Sequence, residues 1–300
     1  MLGSGGQRVR WPELPAAVHA AVAEVLGAPV VEHESQAGGF SPGSADRVAT
    51  ATGARAFVKA VSAAQNPDSP AMHRAEARVG RLLPAGLPVP RLLGAVEVEG
   101  WVVLVQEDVA GRTPHLPWRP PELRRALDAL HLLAERATPS PVADLPTAAL
   151  SLDENLRGAD RLPTDGTVEM LRELSARARG CLDGRTLVHS DLRADNILLT
   201  TDGAVLVDWP WACTGPPWLD TLLLLMEVDR HGGHDVDALL CTEPRTRDVD
   251  PADLTAVLGG FAGFFLDAAR RPAPPGLPRL REFQRVQGKA LLRWVERRLR

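Results

Sequence analysis

The stretch LVHSDLRADNILL, residues 187–199, places a His, an Arg, an Asn and two Asp between two apolar segments. An ordinary surface loop does not need apolar flanks. A core strand would not tolerate so many polar groups either, because burying each one without a partner costs free energy. The pattern therefore indicates a polar site held between two buried segments.

The spacing within and after this stretch fits the chemistry of phosphoryl transfer. Asp191 can accept the proton of a substrate hydroxyl, and Asn196 can offer an amide oxygen to a divalent cation. Further on, Asp208 ends the apolar run VLVD. A carboxylate beside an asparagine suits Mg²⁺, which prefers carboxylate and phosphate oxygens. An isolated His-x-Asp-x4-Asn is more often a polar loop, but the partner strand favours a kinase-type site that uses Mg²⁺ and ATP.

Three other polar residues of the stretch receive different interpretations. Arg193 follows the proposed base by two residues, and its planar guanidinium could contact the transferred phosphoryl group; a solvated loop arginine is the alternative. His189 is interpreted as an internal hydrogen-bonding strut, and Asp195 as a loop residue without a chemical role.

A lysine is exceptional in this chain, because only two of its 34 basic residues are lysines. One of them, Lys59, lies in the apolar strand RAFVKAV, where it could hold the phosphates of a nucleotide. It would need a carboxylate to hold it in place, and Glu76 in the following predicted helix is the natural candidate. The alternative for Glu76 alone is a solvated helix face.

A glycine-rich loop, GGFSPG at residues 38–43, lies before the first strand of the predicted hairpin whose second strand carries Lys59. Glycines allow a backbone to approach phosphates closely and to direct its N–H groups at them. Gly39 and Ser41 are therefore predicted to contact the nucleotide, although the loop does not match the GxGxxG pattern.

Composition limits the remaining possibilities. The chain has 300 residues, of which 45% are hydrophobic and 24% charged, as in globular proteins. Its net charge of −4 does not favour nucleic-acid binding. No apolar run approaches the roughly 20 residues that span a bilayer, the N-terminus lacks a signal-peptide pattern, and three widely spaced cysteines suit a reducing compartment. We expect a cytoplasmic protein without nucleic-acid or membrane partners; the oligomeric state is left open.

Predicted elements divide the chain into two lobes, 1–108 and 109–300. The first reads as helix, strand, glycine loop, hairpin, helix and two strands, which is a small β-rich nucleotide-binding lobe. The second is mainly helical, carries one short β-hairpin and should bind the acceptor. Its helices are predicted at about 121–136, 166–182, 217–230, 252–270 and 279–299.

Together these residues resemble the aminoglycoside phosphotransferases and related small-molecule kinases, which share a protein-kinase-like fold. The resemblance covers roughly residues 30–295 and rests mainly on VHSDLRADNILL and VLVDWPWACTGPPWLD. It implies an α+β bilobal fold, Asp191 as catalytic base, Asn196 and Asp208 as Mg²⁺ ligands, and Lys59 with Glu76 as the phosphate-holding pair.

The resemblance also assigns a structural role to Asp220, near the start of the helix after the metal strand. The chain departs from the family where a Gly commonly follows the motif His and a His commonly lies two residues after the base. Here these positions hold Ser190 and Arg193.

The function expected is Mg²⁺- and ATP-dependent phosphorylation of a hydroxyl on a small molecule, with GTP not excluded as co-substrate. The alternatives are a catalytically silent nucleotide-binding module and a protein kinase. An aminoglycoside or another antibiotic is one candidate acceptor, because residues 220–270 hold ten acids and four arginines. Glu227 and Asp229 are the acids expected to reach the cleft; a neutral hydroxylated metabolite is the other candidate.

Overall fold

The computed structural model describes residues 8–36, 43–274 and 278–300. The N-terminal part of the described chain is an antiparallel sheet with a helix on each side, and the C-terminal part is mainly helical. The arrangement is bilobal, as the sequence predicts. The division between lobes at residues 108 and 109 stays a prediction.

The N-terminal lobe is built on a five-stranded sheet with strand order β1-β2-β3-β5-β4. A 3₁₀ turn at Trp11–Glu13 precedes its elements, which are α1 (Ala16–Leu26), β1 (Val30–Ser35), β2 (Ser44–Thr50), β3 (Arg55–Ser62), α2 (Ser69–Leu82), β4 (Leu92–Val98) and β5 (Trp101–Glu107).

Strand alternation in β3 decides which side chains face which helix. Val58 and Ala60 pack into the apolar cluster that contains Val18 and Val22 of α1. Because successive side chains of a strand point to opposite faces, Lys59 lies on the other face, where α2 packs. The sheet therefore hides its apolar residues under α1 and presents its lysine towards α2.

The C-terminal lobe contains helices and two small two-stranded sheets, β6 with β9 and β7 with β8. Its elements are α3 (Pro120–Arg136), α4 (Ala148–Leu156), α5 (Gly166–Gly180), β6 (Thr186–Val188), β7 (Ile197–Leu199), β8 (Ala204–Leu206), β9 (Cys213–Gly215), α6 (Leu219–His231), α7 (Val236–Thr242), α8 (Pro251–Ala268) and α9 (Leu280–Arg298).

Helix α6 lies in the centre of this lobe. Leu222, Leu224 and Leu225 are fully buried, and every residue from Leu219 to Val228 is buried. Apolar residues at successive positions mark a helix buried in a core, which accounts for the run LDTLLLLM. No helix in the described ranges is long and apolar enough to cross a membrane.

The predicted hairpin at β7 and β8 and all the predicted helices are present, whereas α4, α7 and β9 were missed. Helix α4 follows a proline-rich segment, and its only clear signal is Thr147, whose side chain caps it by accepting a bond from the Leu150 amide. Strand β9 is three residues long, and it is a strand only because it pairs with β6.

Candidate active site

Lys59 joins residues from both lobes at one point. Its Nζ donates to both carboxylate oxygens of Glu76, each at 2.9 Å, and to Oδ1 of Asp208 at 2.8 Å. Burial alone would lower the pKa of Lys59, but the two carboxylates outweigh it and raise that pKa. Burial alone would raise the pKa of Asp208, but Lys59 holds it at about 2. Lys59 and Asp208 are therefore both charged at neutral pH.

Gln106, on β5, is a member of this cluster that sequence reasoning missed. Its Nε2 donates to Oε1 of Glu76 at 3.0 Å, and its side chain is buried. It lies on the same face of the sheet as Lys59, because Gln106 is two residues from Leu104, the register partner of Lys59. The signal was a single amide in the otherwise apolar run WVVLVQ. Two strands of the sheet thus hold Glu76, β3 through Lys59 and β5 through Gln106.

His189 is an internal strut, as predicted. Its Nδ1 accepts a hydrogen bond from the Asp191 backbone N–H at 3.3 Å, so its Nε2 carries the proton and donates to the Val207 carbonyl at 2.9 Å. The imidazole also packs edge-on against Trp209, with ring centroids 4.6 Å apart. It fixes the catalytic loop, residues 189–196, against the segment that ends in Asp208.

Asp220 holds the start of the same loop. Its carboxylate accepts bonds from the backbone N–H groups of His189 at 2.8 Å and Ser190 at 3.0 Å. Burial raises the pKa of Asp220, although the nearby His189 and the two amide bonds oppose the rise. Its contacts are those of the structural role implied by the resemblance.

Two residues of the site adopt left-handed backbone conformations that favour glycine. Ser190 has φ 66° and Asp208 has φ 71°. A side chain in this region costs about 1–2 kcal/mol, because Cβ approaches the following carbonyl oxygen. The strain at Ser190 explains why a glycine suits the position after the motif His.

Asp191 lies in the catalytic loop with its carboxylate held by two neighbours. Arg193 Nη1 donates to its two oxygens at 3.0 and 3.2 Å, and Asn196 Nδ2 donates to Oδ2 at 3.2 Å and to the backbone carbonyl at 2.8 Å. Burial raises the pKa of Asp191, and Arg193 opposes that rise. A raised pKa makes a carboxylate a stronger proton acceptor.

Arg193 also forms a two-bond contact with Asp195, at 3.0 and 3.2 Å. Its guanidinium therefore lies between two carboxylates, and these raise its pKa despite burial. The expectation that Asp195 has no role was incomplete, because Asp195 helps to orient Arg193. The contact of Arg193 with a phosphoryl group stays a prediction.

The described residues fit the predicted magnesium site. The Val207 N–H donates to the Asn196 carbonyl at 2.9 Å, which brings Asn196 beside the strand end that carries Asp208. Asn196 uses its amide nitrogen on Asp191, which leaves its Oδ1 for a cation. The described chain contains no cluster of three or more His, Cys, Asp or Glu that could hold a metal unaided. A carboxylate and an amide oxygen on adjoining segments are the kind of protein ligands that Mg²⁺ uses together with substrate phosphates.

The predicted nucleotide contacts of Gly39 and Ser41 lie outside the described residues. The described end of that loop is Gly43, where an added Cβ would lie 2.5 Å from the Ala60 carbonyl oxygen. Only glycine therefore fits where this loop enters β2.

The prediction that acids of residues 220–270 face an acceptor was wrong for the two residues named. Asp229 binds Arg297 of α9 at 2.5 Å, and Glu227 is buried against the catalytic loop, where it accepts a bond from Ala194. All ten acids of the region have intramolecular partners: Asp220, Glu227, Asp229, Asp235, Asp237, Glu243, Asp248, Asp250, Asp253 and Asp267. Sequence counting overestimated the negative field, because most of these charges neutralise arginines or cap helices.

Comparisons with known proteins bear on the family and the fold of the chain. A model of the phosphotransferase enzyme family matches residues 38–283, well over half of the chain. No curated protein sequence gives a significant match.

Several solved structures are similar to the chain. The choline kinase LicA from Streptococcus pneumoniae has TM-score 0.60 and 15% identity, over 92% of this chain and 98% of that one. A choline/ethanolamine kinase family protein from Mesorhizobium loti has TM-score 0.57 and 16% identity, over 94% and 98%. A choline kinase from Cryptosporidium parvum Iowa II has TM-score 0.52 and 8% identity, over 89% of each chain. At these identities the similarity shows the fold, and the predicted bilobal, protein-kinase-like fold is confirmed.

Proposed function

Because the chain belongs to the phosphotransferase enzyme family and is an ATP-dependent phosphotransferase that acts on hydroxyl groups, we propose that Asp191 is its catalytic base and that its acceptor is a small hydroxylated metabolite. The observation that carries the proposal is the junction at Lys59. This lysine bonds Glu76 from one lobe and Asp208 from the other, 149 residues away.

Each group of the site has a distinct task in this proposal. Lys59 binds the nucleotide phosphates and is oriented by Glu76 and Gln106. Asn196 and Asp208 would hold Mg²⁺, which would supply positive charge against the nucleotide phosphates. Asp191 accepts the hydroxyl proton as the oxygen attacks, and its raised pKa suits that role. Arg193 keeps the Asp191 carboxylate directed at the acceptor.

The acids of residues 220–270 bear on the class of acceptor. A polycationic acceptor such as an aminoglycoside would be drawn by acids that face the cleft. The ten acids that suggested such an acceptor are engaged within the protein, so this region offers no surplus of carboxylates for recognition. We therefore propose a neutral or weakly charged acceptor, with aminoglycosides as the candidate to be tested against it.

The experiment is transfer of the labelled γ-phosphate of ATP, measured by mass spectrometry against an acceptor panel. The panel contains neutral polyols, sugars and nucleosides, together with aminoglycosides and choline, since the similar structures include choline kinases. GTP replaces ATP in a parallel series.

Asp191→Asn should keep ATP binding and lower kcat by roughly 10²–10⁴, the usual range for a positioned acid–base group. Asp202→Asn, at the exposed turn between β7 and β8, is the matched control and should retain wild-type turnover. Near-wild-type turnover in Asp191→Asn would refute the assignment of the base. An aminoglycoside as the preferred acceptor would refute the acceptor class.

A further inference from the structure

Glu227 lies on the same face of α6 as Asp220, two helical turns further along. Asp220 accepts the His189 and Ser190 N–H groups at the start of the catalytic loop. Oε2 of Glu227 accepts the Ala194 N–H at 2.7 Å, near the end of the loop. Helix α6 therefore holds the loop by two carboxylates, one on each side of Asp191.

The burial of Glu227 needs a physical reason, because a buried carboxylate is costly. Its side chain is 8% exposed, and its α6 neighbours Leu224 and Val228 are apolar and fully buried. Burial raises its pKa to about 7, even though Arg230 opposes the rise. A simple packing position in this core would hold another apolar side chain.

The charges around Glu227 come from α6 and from the catalytic loop. Arg230 Nη2 lies 3.4 Å and His231 Nε2 3.9 Å from Oε1 on the same helix. Arg193 and Asp195 of the loop influence Glu227 with opposite signs. On the far side, Phe283 of α9 packs 5.1 Å from the Arg230 guanidinium and contributes no charge. Glu227 is thus part of a cluster of charged side chains that includes Arg193 and Asp195 of the catalytic loop.

Ala194 lies between the two residues that orient the proposed base. Arg193 precedes it and holds the Asp191 carboxylate at 3.0 Å. Asn196 follows two residues later and holds the same carboxylate at 3.2 Å. A shift of the Ala194 backbone would move both groups relative to Asp191.

We propose that Glu227 is a positioning residue for phosphoryl transfer: by accepting the Ala194 N–H, it sets the second half of the catalytic loop so that Arg193 and Asn196 face Asp191. The effect on turnover rests on the proposed function, whereas the effect on the loop does not. The Ala194 bond, and not the mere presence of a side chain at this position, is what the proposal requires.

The test compares Glu227→Leu, Glu227→Gln and Asp229→Asn. The leucine variant fills the space without an acceptor, and the glutamine variant keeps an oxygen that can accept the Ala194 bond. Asp229→Asn is the matched control, because Asp229 is an acid of the same helix whose carboxylate bonds Arg297 of α9 and not the catalytic loop. Turnover is measured with MgATP and the best acceptor of the panel, or as ATP hydrolysis with water as acceptor.

Glu227→Leu should lower kcat by about 10- to 100-fold. Glu227→Gln should recover kcat to within about threefold of wild type at pH 8, and Asp229→Asn should match wild type. Wild-type kcat in Glu227→Leu, or a glutamine variant as impaired as the leucine variant, would overturn the proposal.

Two further measurements decide the matter where Glu227→Leu fails to fold or where no phosphoryl transfer is detected. Wild-type kcat should fall by up to about threefold, to the level of the glutamine variant, as pH decreases through about 7, because protonated Glu227 accepts the Ala194 bond through a neutral oxygen, as glutamine does. The glutamine variant should lack this inflection, and an unchanged profile would contradict the role. Without any substrate, deuterium exchange of a peptide spanning residues 189–199, measured at one pH, should increase in Glu227→Leu and stay unchanged in Asp229→Asn. Unchanged exchange in Glu227→Leu would refute the proposal whatever the fate of the proposed function.

Discussion

Replacing Lys59 by methionine should both destabilise the protein and abolish turnover, and a second substitution should separate the two effects. The lysine side chain is 14% exposed and the Glu76 side chain 3% exposed. Methionine keeps most of the apolar stem but removes the ammonium, so Glu76 would stay buried with only the Gln106 amide as partner. Glu76→Gln added to this variant removes the uncompensated charge.

The expected loss of stability in Lys59→Met follows from the burial of Glu76. Removing one partner of a buried ion pair costs about 3–5 kcal/mol, because the other charge is left desolvated. The contact of Lys59 with Asp208 adds little to this figure, because the Asp208 side chain is 43% exposed and screened by solvent. The double variant contains no buried charge at the pair and should lie within about 1.5 kcal/mol of wild type.

The assay is a double-mutant cycle with thermal unfolding and phosphoryl transfer measured on the same four proteins. A loss of 1 kcal/mol lowers Tm by roughly 1.6 °C in a chain of this size, so the loss expected for Lys59→Met should lower Tm by at least about 5 °C. The double variant should regain most of that loss, yet neither variant should transfer phosphate. Equal Tm values for the single and double variants would refute the argument from burial. Recovered turnover in the double variant would refute the role of Lys59 at the phosphates.

Substitutions at three positions test other features of the site. Lys59→Arg should lose the activity of the wild type, because a planar guanidinium does not fit the position of an ammonium bonded to two carboxylates at 2.8–2.9 Å. Full kcat in this variant would show that this position needs only a positive charge. Asp208→Ala should abolish Mg²⁺-dependent ATP binding in calorimetry, since Asn196 alone is a neutral ligand, and wild-type activity that persists in EDTA would contradict the metal site. Ser190→Gly should be about 1 kcal/mol more stable than Ser190→Ala in denaturant unfolding. Both variants lose the Oγ contact with Cys213, but only the alanine variant keeps a side chain at φ 66°. Equal stabilities would mean that the left-handed backbone at this position is not strained.

Local pattern was sufficient for much of this protein. Alternation in RAFVKAV predicts β3 with Lys59 away from the apolar face, and helical spacing predicts α2 with Glu76 on it. The motif around Asp191 and the apolar strand before Asp208 predict a hairpin between them, which is present as β7 and β8. These features depend on residues close in sequence, so the period of the side chains carries the information.

The pairing of charged residues was the feature that the sequence predicted least well. Counting acids in residues 220–270 suggested an open negative surface, but a count cannot tell which acid meets an arginine from another helix. Asp229 meets Arg297, and Glu243 meets Arg124, 119 residues away. An ion pair depends on a distance of a few ångströms between side chains, and sequence separation contains no such information.

The sequence by itself determined the two-lobed order of elements and the residue types of the site, because periodicity and motif spacing act within single elements. Only the tertiary structure decided that Gln106 supports Glu76, that Glu227 turns inward to the catalytic loop, and that Lys59 links both lobes through Asp208. Each of these contacts joins two residues that lie 30 or more positions apart in the chain. Their partners are chosen when the elements pack, because a buried polar group must find a hydrogen-bonding partner wherever the fold brings one within reach.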